Sequence, residues 1–173
     1  MNDDPRVPRR PTRDILVGIS AMGVSNDPDS VLVTHNLGSC IAVCVHDPIV
    51  RIGGLLHFML PLSAERAPNT SFRPETYADT GVPMLFERMY ALGAVKSRIR
   101  VVVAGGAAIS RATQAAGGVP IGARNHLVLR KMFWQNQVII AAEDVGGTDA
   151  RSVRLDVGTG AVTVTTLRDE RSL

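Results

Sequence analysis

The apolar positions of this chain form two kinds of pattern, continuous runs and a spacing of three to four residues, and each pattern predicts a different kind of element. Continuous apolar runs bounded by Gly, Pro, Asn or Asp are typical of buried strands. The strands predicted in this way are Ile15–Ile19, Val31–Thr34, Ile41–Val45, Ile52–Leu60, Ile99–Ala104, Val138–Ala142, Ser152–Val157 and Val162–Leu167. The turn of a final hairpin is expected at residues 156–160.

Two segments instead repeat apolar residues every three to four positions, which is the spacing of one helix face. The first predicted helix covers about residues 80–92, tolerates Pro83 in its first turn and ends at Gly93. The second covers about residues 123–136, and its Trp134 is expected to be a core residue. Strands interrupted by helices predict a single α/β domain, a layered sandwich of largely antiparallel or mixed sheet with two main helices.

Length and charge fit one domain with a tail at each end. A chain of 173 residues with 45% hydrophobic residues can bury one sizeable core. We predict a disordered, basic, Pro-rich tail over residues 1–13, the domain over 14–167 and a short C-terminal tail over 168–173. Residues 1–13 carry two of the three net positive charges, so no nucleic-acid partner is expected. The alternative is that this tail contacts an acidic surface or the inner membrane face.

The sequence predicts a cytoplasmic protein that does not insert into a membrane. It contains no apolar run long enough to span a bilayer and no apolar segment typical of a secretory leader. Its two cysteines, Cys40 and Cys44, are expected to be free thiols, with a disulfide between them as the alternative. The spacing of the His and Cys residues matches no tight set of metal ligands, so neither a metal nor another cofactor is predicted.

One short segment places reactive groups at a turn between strands. Residues 37–40, Leu-Gly-Ser-Cys, connect two apolar runs, and Gly38 permits backbone conformations that are costly for other residues. Thr34 ends the strand before this turn, and His57 lies on a later strand that is expected to pair with the one Cys40 opens. A thiol and an imidazole placed in this way can act as nucleophile and base. The backbone amides of Ser39 and Cys40 can hold a developing oxyanion.

Each of these residues also has a purely structural interpretation. Free cysteines are usually small buried hydrophobes, and Cys44 inside its strand is interpreted so. His57 by itself fits a half-buried, hydrogen-bonded histidine, and Thr34 fits an ordinary strand residue. Gly53 and Gly54 fit either a β-bulge or a close approach of backbone or substrate near His57. The combination of residues, and no single one, favours an active site.

Several ordered blocks of the sequence together match a known pattern. They are Val31 to Pro48, which contains Leu-Gly-Ser-Cys, then Gly53 to Pro61, Tyr77 to Thr80, Gly105 to Ala107, Ile121 to Asn125 and Ala142 to Gly147. With these blocks the chain resembles the CheD family of chemoreceptor glutamine deamidases of bacterial chemotaxis, and the resemblance extends from about Ile15 to about Val164.

The resemblance implies hydrolysis of glutamine side-chain amides on the cytoplasmic domains of chemoreceptors, with release of glutamate and ammonia. It assigns the nucleophile to Cys40, the base to His57 and a supporting hydroxyl to Thr34, with a thioester intermediate and no metal. Arg124 and Asn125 belong to a family-like block and are expected to shape the site. The alternative for these two is a structural pair that caps a helix N-terminus.

The resemblance also implies alternatives and one local departure. Members of this family pair with a CheC-type phosphatase, so the chain is alternatively a regulatory binding partner, and the same thioester chemistry permits hydrolysis of methyl esters. Where many relatives carry a polar residue, Met and an aromatic, this chain has residues 108–110, Ala-Ile-Ser. The long loop over residues 61–74 follows His57 closely and is expected to border the site.

Overall fold

A computed structural model of the chain describes residues 12–109 and 119–173. In these ranges it contains two sheets of five strands each and two α-helices. The predicted class, an α/β domain with mixed sheets and two main helices, is therefore confirmed. Residues 1–11 of the predicted tail, and Ser110, lie outside the described residues.

The strands are β1 Arg13–Leu16, β2 Ala21–Ser25, β3 Ser30–Leu37, β4 Ile41–Asp47, β5 Ile52–Phe58, β6 Arg100–Gly105, β7 Ile140–Val145, β8 Arg151–Asp156, β9 Val162–Thr165 and β10 Glu170–Ser172. The α-helices are α1 Ala78–Ala91 and α2 Ile121–Gln135. Three short 3₁₀ helices cover Ser63–Glu65, Pro74–Thr76 and Lys96–Arg98.

The two sheets differ in strand order but share one interior. The first sheet has the order β1-β3-β8-β9-β10 and the second the order β2-β5-β4-β6-β7. Only β1 with β3 and β6 with β7 pair in parallel among the described strands. One apolar core includes side chains from both sheets, whereas α1 and α2 contribute to a second core with the other face of the second sheet.

Alternation along the central strands decides which side chains enter the space between the sheets. On β5, Leu55 belongs to the core shared by the two sheets and Leu56 to the core that contains the helices. Because successive strand residues point to opposite faces, His57 follows Leu55 onto the shared side. By the same alternation Thr34 follows Leu32 of β3. The pattern brings one polar side chain from each sheet into a common interior.

Two strands were missed because their sequences carry little apolar signal. β2, Ala-Met-Gly-Val-Ser, has no continuous β-branched run, and it forms by pairing antiparallel with β5. β10 consists of exposed residues within the segment 168–173 that was expected to be a tail, and it pairs antiparallel with β9. At the other end of the domain, β1 begins at Arg13, the last residue of the predicted N-terminal tail. Tertiary pairing overrides weak local propensity at each of these places.

The helices agree with the sequence pattern except at one aromatic residue. Gly93 follows the end of α1 with a φ of 104°, a conformation that glycine adopts without strain. Trp134 was expected in the core, but 79% of its surface is exposed. Phe133 occupies the buried stripe of α2, and the next residue lies about 100° further round the helix. The hairpin expected at residues 156–160 joins β8 to β9, as predicted.

Candidate active site

The turn before β4 is fixed by donors to three consecutive carbonyl groups. Ala107 N–H donates to Gly38 O at 2.8 Å, and Gly106 N–H donates to Cys40 O at 2.8 Å. Between them, the side-chain Nδ2 of Asn125 donates to Ser39 O at 3.0 Å. Hydrogen bonds from a loop and from a helix therefore immobilise the peptide units around the cysteine.

Glycine is required where the loop after β6 crosses this turn. Gly105 has a φ of 117°, and a Cβ at that position would overlap the carbonyl oxygen of Cys40. A larger residue would push the loop away and break the bond from Gly106 to Cys40. The glycines of the family-like block 105–107 thus maintain the backbone of the turn that carries Cys40.

His57 lies on the strand that pairs with the one opened by Cys40, as the sequence predicted. In the antiparallel ladder of β4 and β5, His57 is opposite Ala42, and the last pair is Ile41 with Phe58. The side chain of His57 is completely buried. Strand pairing therefore brings the imidazole to the same end of the sheet as the thiol.

Thr34 contacts the imidazole. Its Oγ1 lies 2.8 Å from Nδ1 of His57, and both side chains are fully buried. The other ring nitrogen, Nε2, is also buried and has no hydrogen-bond partner among the described residues. Hydrogen bonding at one nitrogen fixes the ring orientation and leaves the second nitrogen available for proton transfer.

Burial shifts the pKa of both reactive groups toward the neutral form. It lowers the pKa of His57 from 6.5 to about 4. It also raises the pKa of Cys40 above its ordinary 9.0, although the residue's own backbone amide opposes this shift. Near pH 7 the site therefore holds a thiol and an uncharged imidazole, not a preformed ion pair.

Cys40 opens onto a cleft of about 370 Å³. The cleft is formed by the β3–β4 turn, the segment after β6 and the first turn of α2. Its lining residues are Asn36, Gly38, Ser39, Cys40, Ala107, Ala108, Ile109, Pro120, Ile121 and Gly122. Most of these side chains are small, so a substrate backbone can approach closely and present a side chain to the thiol.

Cys44 lies in the core and not in the cleft. It is 2% exposed and packs in the core shared by the sheets, and burial raises its pKa to about 12. Both cysteines are free thiols in the structure. The structural interpretation of Cys44 is confirmed, and no disulfide joins it to Cys40.

Gly53 and Gly54 do not form a bulge and do not line the cleft. Both are paired in continuous register with β4. A Cβ on Gly54 would lie 2.8 Å from Sδ of Met89 in α1, and one on Gly53 would lie 3.0 Å from Cγ2 of Val157. These glycines allow a helix and the opposite sheet to pack closely on β5. The structure therefore gives them a packing role in place of the expected site-shaping role.

Arg124 and Asn125 are adjacent in sequence but point to different surroundings. The guanidinium of Arg124 lies 2.6 Å from Oε1 of Glu65, and both side chains are partly exposed. Asn125 is completely buried, and besides Ser39 O its Nδ2 also donates to Met59 O at 2.8 Å. Neither residue caps the helix, because α2 begins after Pro120 without a side-chain cap. Only Asn125 reaches the site.

An ion pair beside the end of β6 has no signal of its own in the local sequence pattern. Arg151 donates to Oδ1 of Asp144 through Nε at 3.1 Å and through a terminal nitrogen at 2.8 Å, and both side chains are largely buried. In the adjoining turn, Gly146 N–H donates to Gly105 O, and Ala108 N–H donates to Gly147 O. The pair supports the loop that forms one wall. Asp144 belongs to the family-like block Ala142 to Gly147, and this was the feature of the sequence from which the ion pair could have been found.

The loops near the site are only partly as expected. Ala108 and Ile109, in the segment that departs from the family pattern, do line the cleft. Residues 61–74 do not line it, although Glu65 of this loop reaches α2 through Arg124.

Neither α-helix in the described ranges is long and apolar enough to cross a membrane. Those ranges also contain no group of three His, Cys, Asp or Glu side chains placed to hold a metal ion.

Comparison with known proteins gives one consistent family. The family model described as CheD chemotactic sensory transduction matches residues 59–166. This range begins just after His57, so the match rests on the rest of the domain and is independent of Thr34, Cys40 and His57.

Curated relatives cover most of the chain. The probable chemoreceptor glutamine deamidase CheD 1 of Syntrophus aciditrophicus is 48% identical over 87% of this chain and 92% of its own length. The probable chemoreceptor glutamine deamidase CheD 2 of Anaeromyxobacter dehalogenans is 45% identical over 87% of this chain and 92% of its own. A probable chemoreceptor glutamine deamidase CheD of Symbiobacterium thermophilum is 39% identical over 91% and 95%. The likeness thus extends over nearly the full length of each relative.

Proposed function

Because the chain belongs to the CheD family, we propose that it deamidates chemoreceptors, hydrolysing selected glutamine side chains to glutamate with release of ammonia. The observation that carries this proposal is the buried Thr34–His57 hydrogen bond at the end of the sheet where Cys40 opens onto the cleft. The bond leaves Nε2 of His57 as the proton acceptor. The substrates are the cytoplasmic domains of chemoreceptors, which places the enzyme in the cytoplasm.

The first half of the reaction forms a thioester. In the tautomer that the reaction requires, His57 Nδ1–H donates to Thr34 Oγ1, and the lone pair on Nε2 accepts the Cys40 proton as sulfur attacks the amide carbon. The C–S bond forms and the carbonyl electrons move to oxygen, where the amides of Ser39 and Cys40 stabilise the negative charge. The imidazolium then protonates the amide nitrogen, the C–N bond breaks and ammonia leaves.

The second half releases glutamate. Water enters the position that ammonia has left, and Nε2 of His57 accepts a proton from it as its oxygen attacks the thioester carbon. The C–O bond forms and the C–S bond breaks, and the proton returns to sulfur. Thiol and neutral imidazole are restored, so no metal or other cofactor takes part.

Ammonia release from a purified receptor cytoplasmic domain tests this function. Mass spectrometry of the receptor should show the small mass gain of an amide-to-acid conversion at individual glutamines. A receptor esterified at the same positions tests the methyl-ester alternative. If the protein instead binds a CheC-type phosphatase in a pull-down and releases no ammonia, the regulatory alternative would replace the enzyme.

The pH dependence distinguishes this site from one with an ordinary histidine base. Since the pKa of His57 is about 4 and that of Cys40 is above 9.0, both groups keep their working protonation between these values. We expect kcat/KM to be constant between about pH 6 and pH 8 and to fall as the pH approaches 4, because the protonated imidazole cannot accept a proton. Initial rates of ammonia release across this range measure the profile. A decline with a midpoint near 6.5 would contradict it.

Replacing Thr34 with valine should lower kcat by about 10- to 100-fold. Valine keeps the shape of the side chain but removes the oxygen 2.8 Å from Nδ1, so the ring loses its fixed orientation. Thr34→Ser is the matched control, because serine retains the hydroxyl and should restore most of the activity. Equal activity of the valine and serine variants would remove the hydroxyl from the mechanism.

A further inference from the structure

Asn125 links two backbone segments that carry the proposed nucleophile and base. Its Nδ2 donates to the carbonyl of Ser39, which precedes Cys40, and to the carbonyl of Met59, which follows His57 by two residues. The bonds join positions 86 and 66 residues away in the sequence, respectively. One side chain of α2 therefore connects the ends of β4 and β5.

The orientation of this amide follows from its partners. Both partners are carbonyl oxygens, so the group that faces them must be the NH₂, and its two hydrogens supply the two bonds. The Oδ1 atom is buried and has no hydrogen-bond partner within the described residues. The hydrogen bonds of this side chain to the described residues therefore all run through Nδ2, toward the two strand ends.

The two bonds lie where the sheet ladder ends. The pairing of β4 with β5 runs from Asp47–Ile52 to Ile41–Phe58, and Cys40 and Met59 lie just beyond the last pair. Strand ends without ladder bonds can separate. Asn125 supplies a side-chain bridge across this end, next to the reactive pair.

The docking of α2 places the amide there. A Cβ on Gly122 would overlap the backbone of Gly106, so the first turn of α2 lies directly on the loop that binds Cys40 O. The neighbouring Arg124 faces Glu65 at the surface. In the same turn of α2, Asn125 therefore links the two strand ends in the interior, and Arg124 provides a control position at the surface.

We propose that Asn125 is a positioning residue that holds the Cys40 turn at its working distance from His57. The proposal rests on the deamidase function proposed above. Loss of the two bonds lets the turn move relative to the imidazole, and displacement by about 1 Å is enough to slow a positioned reaction by about 100-fold. Asn125 acts on the rate of the chemical step and not on the affinity for the receptor.

The experiment compares Asn125→Ala and Asn125→Asp with Arg124→Ala. Alanine removes both bonds, whereas aspartate keeps the volume and can donate one bond only while its carboxyl is protonated. Steady-state ammonia release gives kcat and KM, and alkylation of Cys40 by iodoacetamide at several pH values reports the thiol without any receptor. Cys40→Ala supplies the background of alkylation, and thermal unfolding at each pH ensures that only folded protein is compared.

We expect Asn125→Ala to lower kcat by about 10- to 100-fold with KM within about twofold of wild type, and to slow alkylation by about tenfold. Arg124→Ala should leave both rates unchanged. At low pH, Asn125→Asp should have a higher kcat and a higher alkylation rate than Asn125→Ala. This difference should disappear as the pH rises, because the aspartate carboxyl loses the proton that it donates.

Three results would overturn the proposal. The first is a folded Asn125→Ala protein with the kcat and the alkylation rate of the wild type. The second is a loss of kcat in Arg124→Ala equal to that in Asn125→Ala. The third is an Asn125→Asp protein whose rates equal those of Asn125→Ala at every pH. If the alanine variant does not fold, the pH dependence of the aspartate variant decides. If the wild type itself releases no ammonia, the deamidase function fails, while the alkylation rates still test the position of Cys40.

Discussion

Replacing Cys40 with alanine is expected to reduce ammonia release from a chemoreceptor cytoplasmic domain by about 10⁴-fold or more, to the background rate. In the proposed mechanism the sulfur forms the covalent intermediate, and among the described residues no other side chain that lines the cleft carries a thiol. The substitution removes only one atom from a half-buried position, so the fold should be retained. Ammonia release, together with mass spectrometry of receptor glutamines, measures the effect.

Cys44→Ala is the matched control for that substitution. It removes the same thiol four residues later, from a position that is 2% exposed and whose pKa is raised to about 12 by burial. It is expected to lower the free energy of unfolding by about 1 kcal/mol and to leave kcat unchanged. A Cys40→Ala protein with the wild-type rate would exclude the thioester mechanism, and equal loss in both variants would indicate damage to the fold.

Replacing His57 with asparagine is expected to lower kcat by about 10³-fold. The asparagine side chain can still place a polar group near Thr34 Oγ1, which lies 2.8 Å from Nδ1, but it provides no proton acceptor where Nε2 stands. Without that acceptor the Cys40 proton has no base, since burial holds the thiol in its neutral form. Steady-state rates at neutral pH give the comparison.

His46→Asn controls for the loss of a buried histidine. His46 is 4% exposed and donates from Nε2 to Val157 O at 2.9 Å, and burial lowers its pKa as it does that of His57. It lies at the opposite end of β4 from Cys40, so the substitution should lower stability and leave the catalytic rate of the folded protein intact. A His57→Asn variant within tenfold of wild type would show that another group serves as the base.

Both largest effects concern residues that the sequence identified without the structure. The turn at residues 37–40 is local, and only Ser39 separates its glycine from its cysteine, so a short segment was enough to recognise it. His57 follows one turn later on a neighbouring strand, and antiparallel neighbours pair predictably. Short sequence separation made these two assignments possible.

Thr34 and Asn125 required more than local pattern. The hydrogen bond between Thr34 and His57 joins β3 in the first sheet to β5 in the second, across 23 residues. The role of Asn125 depends on how α2 docks against the β3–β4 turn, whereas the sequence could not separate it from Arg124. The hydrophobic periodicity of a strand or helix indicates which of its faces is buried, but it does not indicate which face of another layer will pack against it.

The wrong expectations have the same origin. Gly53 and Gly54 were associated with His57 because they precede it, but α1 and the opposite sheet pack on them. Trp134 was expected in the core, although the buried stripe of α2 passes through Phe133. Residues 168–173 were expected to be a tail, yet β10 forms there, because backbone pairing with β9 needs no apolar side chain.

The sequence by itself determined the class of fold and the strand-linking turn with its thiol, and it predicted the imidazole partner and, by resemblance, the chemistry. These properties follow from the local hydrophobic periodicity, from the positions of glycines and from residues that are close together along the chain. The tertiary structure decided that Thr34 binds the imidazole, that Asn125 bridges the two strand ends and that both reactive groups are neutral near pH 7. Each of these depends on packing between layers, which excludes water from the site and brings together residues that are far apart in sequence.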